Sequence, residues 1–360
     1  MKKYVTLGEV CSKGSSNIAQ KDIEHNNGSY GIYGASGYIK DVDFYHQDKP
    51  YIAVVKDGAG IGRTMLLPEK TSVIGTMQYL IPNDMICVEY LYYAVTYMNL
   101  AKYFSGATIP HIYFKDYQKE KLPLLTIEEQ RKISDSLQKI DRLIELCGSI
   151  LEKIDVLVKS RFVEMFGEPI DNPMGWEVKR LDEVAILNKG ITYAPEDVSD
   201  EGIVVLRSSN IKGNTFDLGD IVKITKSVNP EKYVQKNDIL MCNRNGSARL
   251  VGKVAKIPIL SENMTFGTFM TIVRSDIYEY LFIFFQLEAF REQIKFQTAV
   301  AINQISLPLL ASVKVPIPPK KLIEQFAAFV EQTDKSKLAV KQVLEKAEML
   351  KKALMQKYFG

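Results

Sequence analysis

A stripe of apolar residues at heptad spacing runs through Ile127–Gly167 and constrains this chain more than any other feature. Its members alternate at steps of four and three residues: Ile133, Leu137, Ile140, Ile144, Cys147, Leu151, Ile154 and Val158. Charged residues fill the flanks, and this pattern is typical of a coiled-coil seam. Only Gly148 interrupts the run, so we predict one helix of about 40 residues, about 60 Å long at ~1.5 Å per residue. Such a helix needs a partner to bury its stripe.

A second copy of this stretch lies in the same chain, 193 residues further on and without a gap. Leu151–Glu152–Lys153 recurs as Leu344–Glu345–Lys346, and Phe166–Gly167 recurs as Phe359–Gly360. The second stripe is weaker, with Lys337 in place of Ile144. It consists of Val340, Leu344, Ala347, Leu350 and Leu354. One such helix alone would be read as an ordinary core helix, but two matched copies favour a duplicated architecture.

The rest of the sequence forms two blocks that alternate with these helices. We predict boundaries at 1–122, 123–167, 168–315 and 316–360. The first block contains, in order, a buried strand at 51–55, a glycine turn at 57–63, an apolar run at 73–81 and a helix over 86–104. The second contains strands at 204–206 and 238–242, a Gly-Thr pair at 267–268 that echoes 75–76, and a helix from 279. This shared order indicates two divergent copies of one α/β domain.

Bulk properties favour a soluble cytoplasmic protein. The formal net charge is only +3, and the longest apolar stretch, 280–285, is far too short for a membrane span. The N-terminus has no apolar core of signal-peptide length. Four scattered cysteines, one of them within the helical stripe, indicate free thiols in a reducing compartment.

No motif of the sequence predicts catalysis, a cofactor or a metal site. The three histidines are far apart, and no CxxC or HxxxH spacing is present. The run DGAGIGRT at 57–64 is one residue short of a phosphate-binding loop and has Arg63 in place of the lysine. A turn between two strands is the better interpretation of that run.

The polar loops of both blocks contain candidate DNA-binding residues. Between 203 and 256 ten Lys and Arg stand against four Asp and Glu. Arg and Asn read base edges in the major groove, whereas Lys and Ser hold phosphates. The second block offers Arg207, Ser208, Asn210, Lys212, Asn243, Arg244, Asn245, Arg249, Lys253, Asn303 and Gln304. The first block offers Lys40, Lys56, Arg63, His111, Tyr113 and Lys115. A solvated charged face is the alternative interpretation.

The whole layout resembles the specificity subunit of Type I restriction–modification systems. The residues that carry the resemblance are the proline hinges at Pro123 and at 316–319, the stretch 329–337, the two Phe-Gly helix ends, and NRNGSARLVGK after a strand. The resemblance implies two target recognition domains, 1–122 and 168–315. They alternate with two long helices that pair antiparallel as a coiled-coil spacer. The expected fold is therefore α/β (α+β) with a pseudo-two-fold internal repeat.

The resemblance also implies a function in DNA recognition without catalysis. Each domain would read one half of a split target on double-stranded DNA. The helices would dock two adenine methyltransferase subunits, and restriction subunits would complete the assembly. No cofactor would bind this chain, since S-adenosylmethionine, ATP and Mg would belong to the partners. The alternatives are a tandem-domain scaffold that binds proteins instead of DNA, and a standalone enzyme.

Overall fold

The computed structural model describes residues 3–106, 110–294 and 303–360. The undescribed ranges 107–109 and 295–302 precede the candidate residues His111 and Asn303 in the chain. The chain divides into two units, Met1–Ser149 with Val340–Gly360, and Ile150–Ala339. Each unit therefore combines one globular domain with a part of each long helix.

The first domain is built on small sheets that are antiparallel except for one parallel pair of strands. Its elements and the helix that follows are β1 (Lys3–Thr6), α1 (Leu7–Val10), β2 (Cys11–Ser15), β3 (Tyr30–Gly34), β4 (Gly37–Val42), β5 (Tyr51–Val55), β6 (Thr64–Leu67), β7 (Ser72–Val73), β8 (Met77–Pro82), α2 (Val88–Met98), α3 (Phe114–Tyr117), β9 (Lys121–Leu124) and α4 (Ile127–Phe166). The main sheet has the strand order β2-β8-β5-β6, and β3 forms a smaller sheet with β4 and, as the parallel pair, with β7. Strand β1 pairs with β9 next to the helix.

The second domain repeats this plan with longer loops. Its elements are β10 (Glu177–Arg180), α5 (Leu181–Val184), β11 (Ile186–Lys189), β12 (Val198–Ser199), β13 (Ile203–Leu206), β14 (Ile211–Lys212), β15 (Thr215–Phe216), β16 (Val222–Ile224), β17 (Ile239–Cys242), β18 (Val254–Lys256), β19 (Met264–Phe266), β20 (Met270–Arg274), α6 (Tyr278–Phe284), α7 (Glu288–Ile294), α8 (Leu307–Ser312), β21 (Lys314–Ile317) and α9 (Lys320–Phe359). The order β11-β20-β17-β18 matches β2-β8-β5-β6, and β10 pairs with β21 as β1 does with β9. The predicted duplication of one domain is confirmed.

The central strands of both domains are apolar throughout because both of their faces are covered. In β5, Ile52 and Val54 point into the core beneath α2, whereas Tyr51, Ala53 and Val55 belong to a separate core on the other face. In β17, Ile239 and Met241 are separated from Leu240 and Cys242 in the same way. Successive side chains of a strand alternate between its faces, so a continuous apolar run serves two cores.

Two predicted local elements have clear outcomes. Residues 57–63 link β5 to its antiparallel neighbour β6, so the glycine run is a turn between strands, as predicted. The helix predicted over 86–104 is too long, because α2 ends at Met98. Asn99 adopts a left-handed φ of 50°, and a short 3₁₀ turn follows at Leu100–Tyr103. Asparagine is one of the few residues that tolerates this conformation, so it ends the helix.

Both long helices form at the predicted length of 40 residues. Thr126 begins α4 through a reciprocal pair of hydrogen bonds, because it accepts from the amide of Glu129 and its own amide donates to the Glu129 carboxylate. Gly167 ends α4 with a φ of +77°, and a Cβ there would lie 2.6 Å from Pro173. The glycine of the Phe-Gly ending is therefore required at that point.

The two helices pack antiparallel in each unit. In the first unit Ile133 and Leu137 share a core with Met355 and Phe359, and Asp141 pairs with Lys351. Residues further along α4 thus meet residues earlier along α9, so the two helices run in opposite directions. In that unit Ile140, Cys147 and Ala347 are buried, while Ile144, Val340, Leu344 and Leu354 are half-buried. The prediction that Leu350 belongs to this stripe is wrong, because its side chain is 50% exposed.

The same direction holds in the second unit. Val158 and Phe162 share a core with Val330 and Phe326, and Lys337 binds Asp155 at 2.6 Å. Leu151 and Ile154 of the predicted stripe are half-buried. Lys337 and Lys351, which replace Ile144 and Val158 of the first stripe, thus have acidic partners on α4.

A buried tyrosine ties each domain to its helices. In the first unit the Tyr90 hydroxyl donates to the carbonyl of Pro123 at 3.0 Å, and its ring lies 5.0 Å from that of Phe359. In the second unit the Tyr280 hydroxyl donates to the carbonyl of Pro316 at 2.6 Å, and its ring lies 5.1 Å from Phe166. The proline hinge and the Phe-Gly ending therefore meet at one aromatic residue.

Replacement of Phe162 by Ala tests this aromatic core. Phe162 is fully buried and contacts Phe166, Tyr280 and Phe326, so we expect a loss of about 3–5 kcal/mol from the second unit. The sole tryptophan, Trp176, donates from its indole to the Phe166 carbonyl and reports that unit by fluorescence during urea unfolding.

The matched control is Val156→Ala on the same helix, at a side chain that is 64% exposed. Its free energy of unfolding should stay within about 0.5 kcal/mol of the wild-type value. Equal effects of the two substitutions would contradict the packing described.

Candidate nucleic-acid interface

A groove of about 1050 Å³ opens in the second domain where several loops converge. The loops follow the buried strands β13 and β17, connect β19 to β20, or approach α8. The groove is lined by five of the predicted residues, Arg207, Ser208, Arg244, Asn245 and Asn303, together with Tyr193, Asp220 and Phe269 among others. Loops on a rigid sheet are the usual place for binding residues.

Arg244, one of the predicted DNA-binding residues, lies in this groove with its guanidinium over an aromatic ring. Its guanidinium carbon lies 4.8 Å from the centre of the Phe269 ring, and Phe269 is 49% exposed. Among the residues that the structure describes, no acceptor forms a hydrogen bond with the Arg244 side chain. A stacked guanidinium with unused donors presents the planar fork that matches the O6 and N7 atoms of guanine.

Asn210 positions the groove but cannot contact DNA as predicted, because it is completely buried. Its carboxamide oxygen accepts from the Arg207 amide at 2.7 Å. Its amide nitrogen donates to the carbonyls of Asp217 and Asp220 at 2.9 and 2.8 Å. These bonds fix the loop that carries Arg207, whose guanidinium donates to Asp220 at 2.8 Å.

Lys253 and Asn243 are also engaged inside the domain. The Lys253 ammonium donates to the carbonyls of Ser208 and Ile211, and burial lowers its pKa. Asn243 is buried and donates to the Thr271 hydroxyl at 3.1 Å. The prediction that Lys253 holds a phosphate and that Asn243 reads a base is corrected accordingly. Both side chains support the loops from beneath.

The remaining candidates of the second domain are accessible. Ser208 accepts from Asn245 at 2.8 Å, and Asn303 donates to the Gly246 carbonyl at 3.0 Å, which closes one wall of the groove. Gln304 is exposed and its backbone bridges to Arg244. Lys212 is paired with Asp217 on the β14–β15 hairpin. Arg249 is exposed, and its guanidinium has no partner within the described ranges.

Four of the six candidates of the first domain come together beside the turn after β5. His111 stacks on Tyr113 at 6.2 Å between ring centres, and the Lys115 ammonium lies 5.4 Å from the Tyr113 ring. Lys56 precedes Asp57, which lies 2.6 Å from the His111 Nδ1 atom. The other two predicted residues are engaged elsewhere: Lys40 donates to the Glu24 carbonyl and Arg63 to the Ala35 carbonyl.

Sequence reasoning missed Asp57, Asp220, Tyr193 and Phe269 because it searched for cations and amides. A signal for Phe269 was present in the repeat. The repeated Gly-Thr pair aligns 267–268 with 75–76 in the sequence. Strand pairing gives a different alignment, because Met270 pairs with Cys242 as Met77 pairs with Val55. Phe269, and not Thr268, therefore occupies the place of Thr76.

Two further searches concern only the described ranges. No group of three His, Cys, Asp or Glu side chains there is placed to hold a metal ion. No helix there combines the length and the apolar character that a bilayer crossing requires.

Comparison with known proteins assigns this architecture to a family. The family model for the Type I restriction modification DNA specificity domain matches residues 2–156 and 173–349. The chain belongs to that family. Both matched segments contain a domain of the repeat, which agrees with the duplicated fold.

The relatives and solved structures agree with this assignment. The chain is 25% identical over 338 residues to the Type I restriction enzyme MjaVIII specificity subunit of Methanocaldococcus jannaschii, covering 84% of this chain and 77% of the relative. It is 26% identical over 196 residues to the EcoKI specificity subunit of Escherichia coli, and there it spans 51% of this chain and only 42% of the relative.

Among solved structures, the S subunit from M. genitalium superposes with a TM-score of 0.66 at 17% identity, over 100% of this chain and 96% of that one. A chain from a structure of a type I R-M system has a TM-score of 0.56 at 15% identity, over 99% and 97%. These likenesses concern the fold.

Replacement of Asn210 by Ala tests the support of the groove. The loss of three hydrogen bonds should lower the stability of the second unit by about 1–3 kcal/mol, measured by Trp176 fluorescence in urea. Ser247→Ala, on an exposed side chain of the neighbouring loop, should leave the unfolding midpoint unchanged. An Asn210→Ala protein as stable as wild type would show that the loop does not depend on this side chain.

Proposed function

We propose that this chain is the DNA-recognition subunit of a Type I restriction–modification complex and reads a bipartite target, one half-site per domain. The observation that carries the proposal is the Arg244 guanidinium, stacked on Phe269 in an open groove with its donors unused. Membership of the DNA specificity family and the names of the relatives support it.

In the second half-site Arg244 donates to a guanine in the major groove. Arg249 and Lys212 lie exposed in the surrounding loops and contact phosphates, which carry no sequence information of their own. Asn245, Asn303 and Gln304 provide amide groups near Arg244 for adjacent base edges. The buried residues Asn210 and Asn243 and the half-buried Lys253 keep these loops in place.

The duplication of the domain accounts for a split target. The chain repeats one domain followed by one long helix, and two similar domains suit two half-sites on duplex DNA. The helices serve as a spacer between the recognition domains 1–122 and 168–315. The chain itself performs no catalysis and binds no cofactor. S-adenosylmethionine belongs to methyltransferase partners, and ATP and Mg belong to restriction subunits.

Two exposed apolar pairs on the helices are the docking points that we propose for two methyltransferase subunits. Val156 and Leu157 of α4 are 64% and 51% exposed. Their counterparts 193 residues later, Met349 and Leu350 of α9, are 63% and 50% exposed. Exposed apolar side chains that recur at equivalent places mark an interaction surface rather than chance. One pair lies in each unit, which supports two partner subunits per chain.

The substitution Arg244→Ala tests base recognition. Loss of a bidentate contact should reduce discrimination at one position of the second half-site by roughly 1–3 kcal/mol and leave the first half-site unchanged. The measurement is competitive binding of the complex, reconstituted with its methyltransferase, to duplexes that vary at each position.

Arg249→Ala is the matched control for a phosphate contact. It should weaken binding about equally on all sequences and reduce the slope of affinity against salt by ~1. A change in the first half-site caused by Arg244→Ala would overturn the division of the target between the domains.

The substitutions Leu157→Asp and Leu350→Asp test partner docking. Each alone should reduce the number of bound methyltransferase subunits from two to one, and both together should abolish binding, because a carboxylate is costly to bury in an apolar contact. Native mass spectrometry of co-purified complexes gives the count.

Leu338→Asp is the matched control. Leu338 is 59% exposed on α9, but its counterpart in the repeat is Glu145, so it lies outside the duplicated pairs. That variant should keep two subunits. Retention of two subunits by the double variant would disprove the docking points.

A further inference from the structure

Asp57 and His111 of the first domain occupy the places that Arg244 and Gln304 occupy in the second. The Asp57 amide donates to the carbonyl of Thr76 at 3.3 Å, as the Arg244 amide does to Phe269 at 3.3 Å. Backbone bridges join Asp57 to His111 and Arg244 to Gln304. The flanking bonds also match, from Ile112 to Lys56 and from Ile305 to Asn243. The two turns share one backbone and differ in their side chains.

The two side chains have opposite hydrogen-bonding character. An arginine only donates, whereas an ionised aspartate only accepts. A carboxylate on a surface that faces DNA is repelled by the phosphates, unless it accepts a hydrogen bond from a base. In the major groove the base donors are the amino groups of cytosine N4 and adenine N6. A carboxylate at this place therefore selects an amino-bearing base, where an arginine selects guanine.

The surroundings of Asp57 hold its carboxylate in one orientation. The Oδ1 atom lies 2.6 Å from His111 Nδ1, and the His111 ring is stacked on Tyr113 with 23° between the planes. The Oδ2 atom lies 3.8 Å from the Lys56 ammonium and accepts no hydrogen bond from any residue that the structure describes. The side chain is 26% exposed. One oxygen is thus fixed and the other is available.

We infer that Asp57 is a specificity-determining residue of the first half-site, where its Oδ2 atom accepts a hydrogen bond from a base amino group. His111 is the positioning residue that orients this carboxylate. The inference rests on the proposed function, because it requires that the first domain binds DNA. At this position the half-sites then differ because the first domain presents a hydrogen-bond acceptor, Asp57, where the second presents a donor, Arg244.

The test uses the full chain, reconstituted with its methyltransferase subunit, and a duplex library with both half-sites randomised. Sequencing of the bound fraction should give a split target for the wild type. The first half-site is the one that Arg244→Ala leaves unchanged. We expect one of its positions to depend on Asp57, and whether a G·C or an A·T pair is selected there distinguishes cytosine from adenine as the source of the amino group.

The substitution Asp57→Asn should reduce the preference for the amino-bearing base about tenfold, since an amide both donates and accepts and 1.4 kcal/mol corresponds to a factor of ten. Asp57→Glu keeps the acceptor and should keep the preference for an amino-bearing base at lower affinity. His111→Leu should weaken the preference at the same position only, whereas a purely structural role would lower binding to all sequences evenly.

Glu69→Gln is the matched control, with the same change of charge. Glu69 follows β6 at the end of the β5–β6 hairpin opposite to Asp57, since Tyr51 pairs with Leu67 there. This variant should select the wild-type target. An unchanged preference in Asp57→Asn, or a uniform loss over all sequences, would overturn the inference while the wild-type split target upholds the proposed function. A wild type that selects no sequence would overturn both.

Discussion

Each domain packs a buried tyrosine against the phenylalanine that ends the other long helix, and the rest of the structure depends on this contact. Tyr90 meets Phe359, and Tyr280 meets Phe166. The same tyrosines bind the carbonyls of the proline hinges from which their own helices start. A single aromatic residue thus joins the beginning of one helix to the end of the other. The aromatic rings provide most of the stabilisation, because burial of each is worth several kcal/mol.

Aspartates at equivalent places on the two helices provide the polar part of the same junction. In the first unit Asp141 accepts from the Tyr93 hydroxyl at 2.8 Å and binds Lys351. In the second unit Asp334 accepts from Lys256, which also binds Glu279 at 2.7 Å. Burial raises the pKa of Glu279. Asp141 thus joins α4 to α9 through Lys351, whereas Asp334 joins α9 to β18 of its own domain through Lys256.

The helices could be predicted from the sequence because heptad spacing is a local signal, and the duplication because the repeat keeps one offset of 193 residues without a gap. The ends of shorter elements were harder to predict from the sequence. The end of α2 depends on the positive φ of one residue, Asn99. Site residues were predictable in type and loop, but not in exposure. Arg244 and Lys253 look alike in the sequence, yet one is stacked in a groove and the other donates to two backbone carbonyls. That difference arises from strands that are distant in the chain.

In the turn after the central strand of each domain, the identity of one side chain does not affect the hydrogen bonds that hold the backbone. These hydrogen bonds are made by main-chain atoms alone, so they are the same whether the turn carries Asp57 or Arg244. The side chain at that position can consequently be exchanged at little cost to folding. Selection for recognition then acts on the side chain, and selection for stability acts on the main-chain hydrogen bonds. Under the proposed roles of Asp57 and Arg244, a single substitution in this turn changes the base that is recognised and leaves the backbone of the turn as it is.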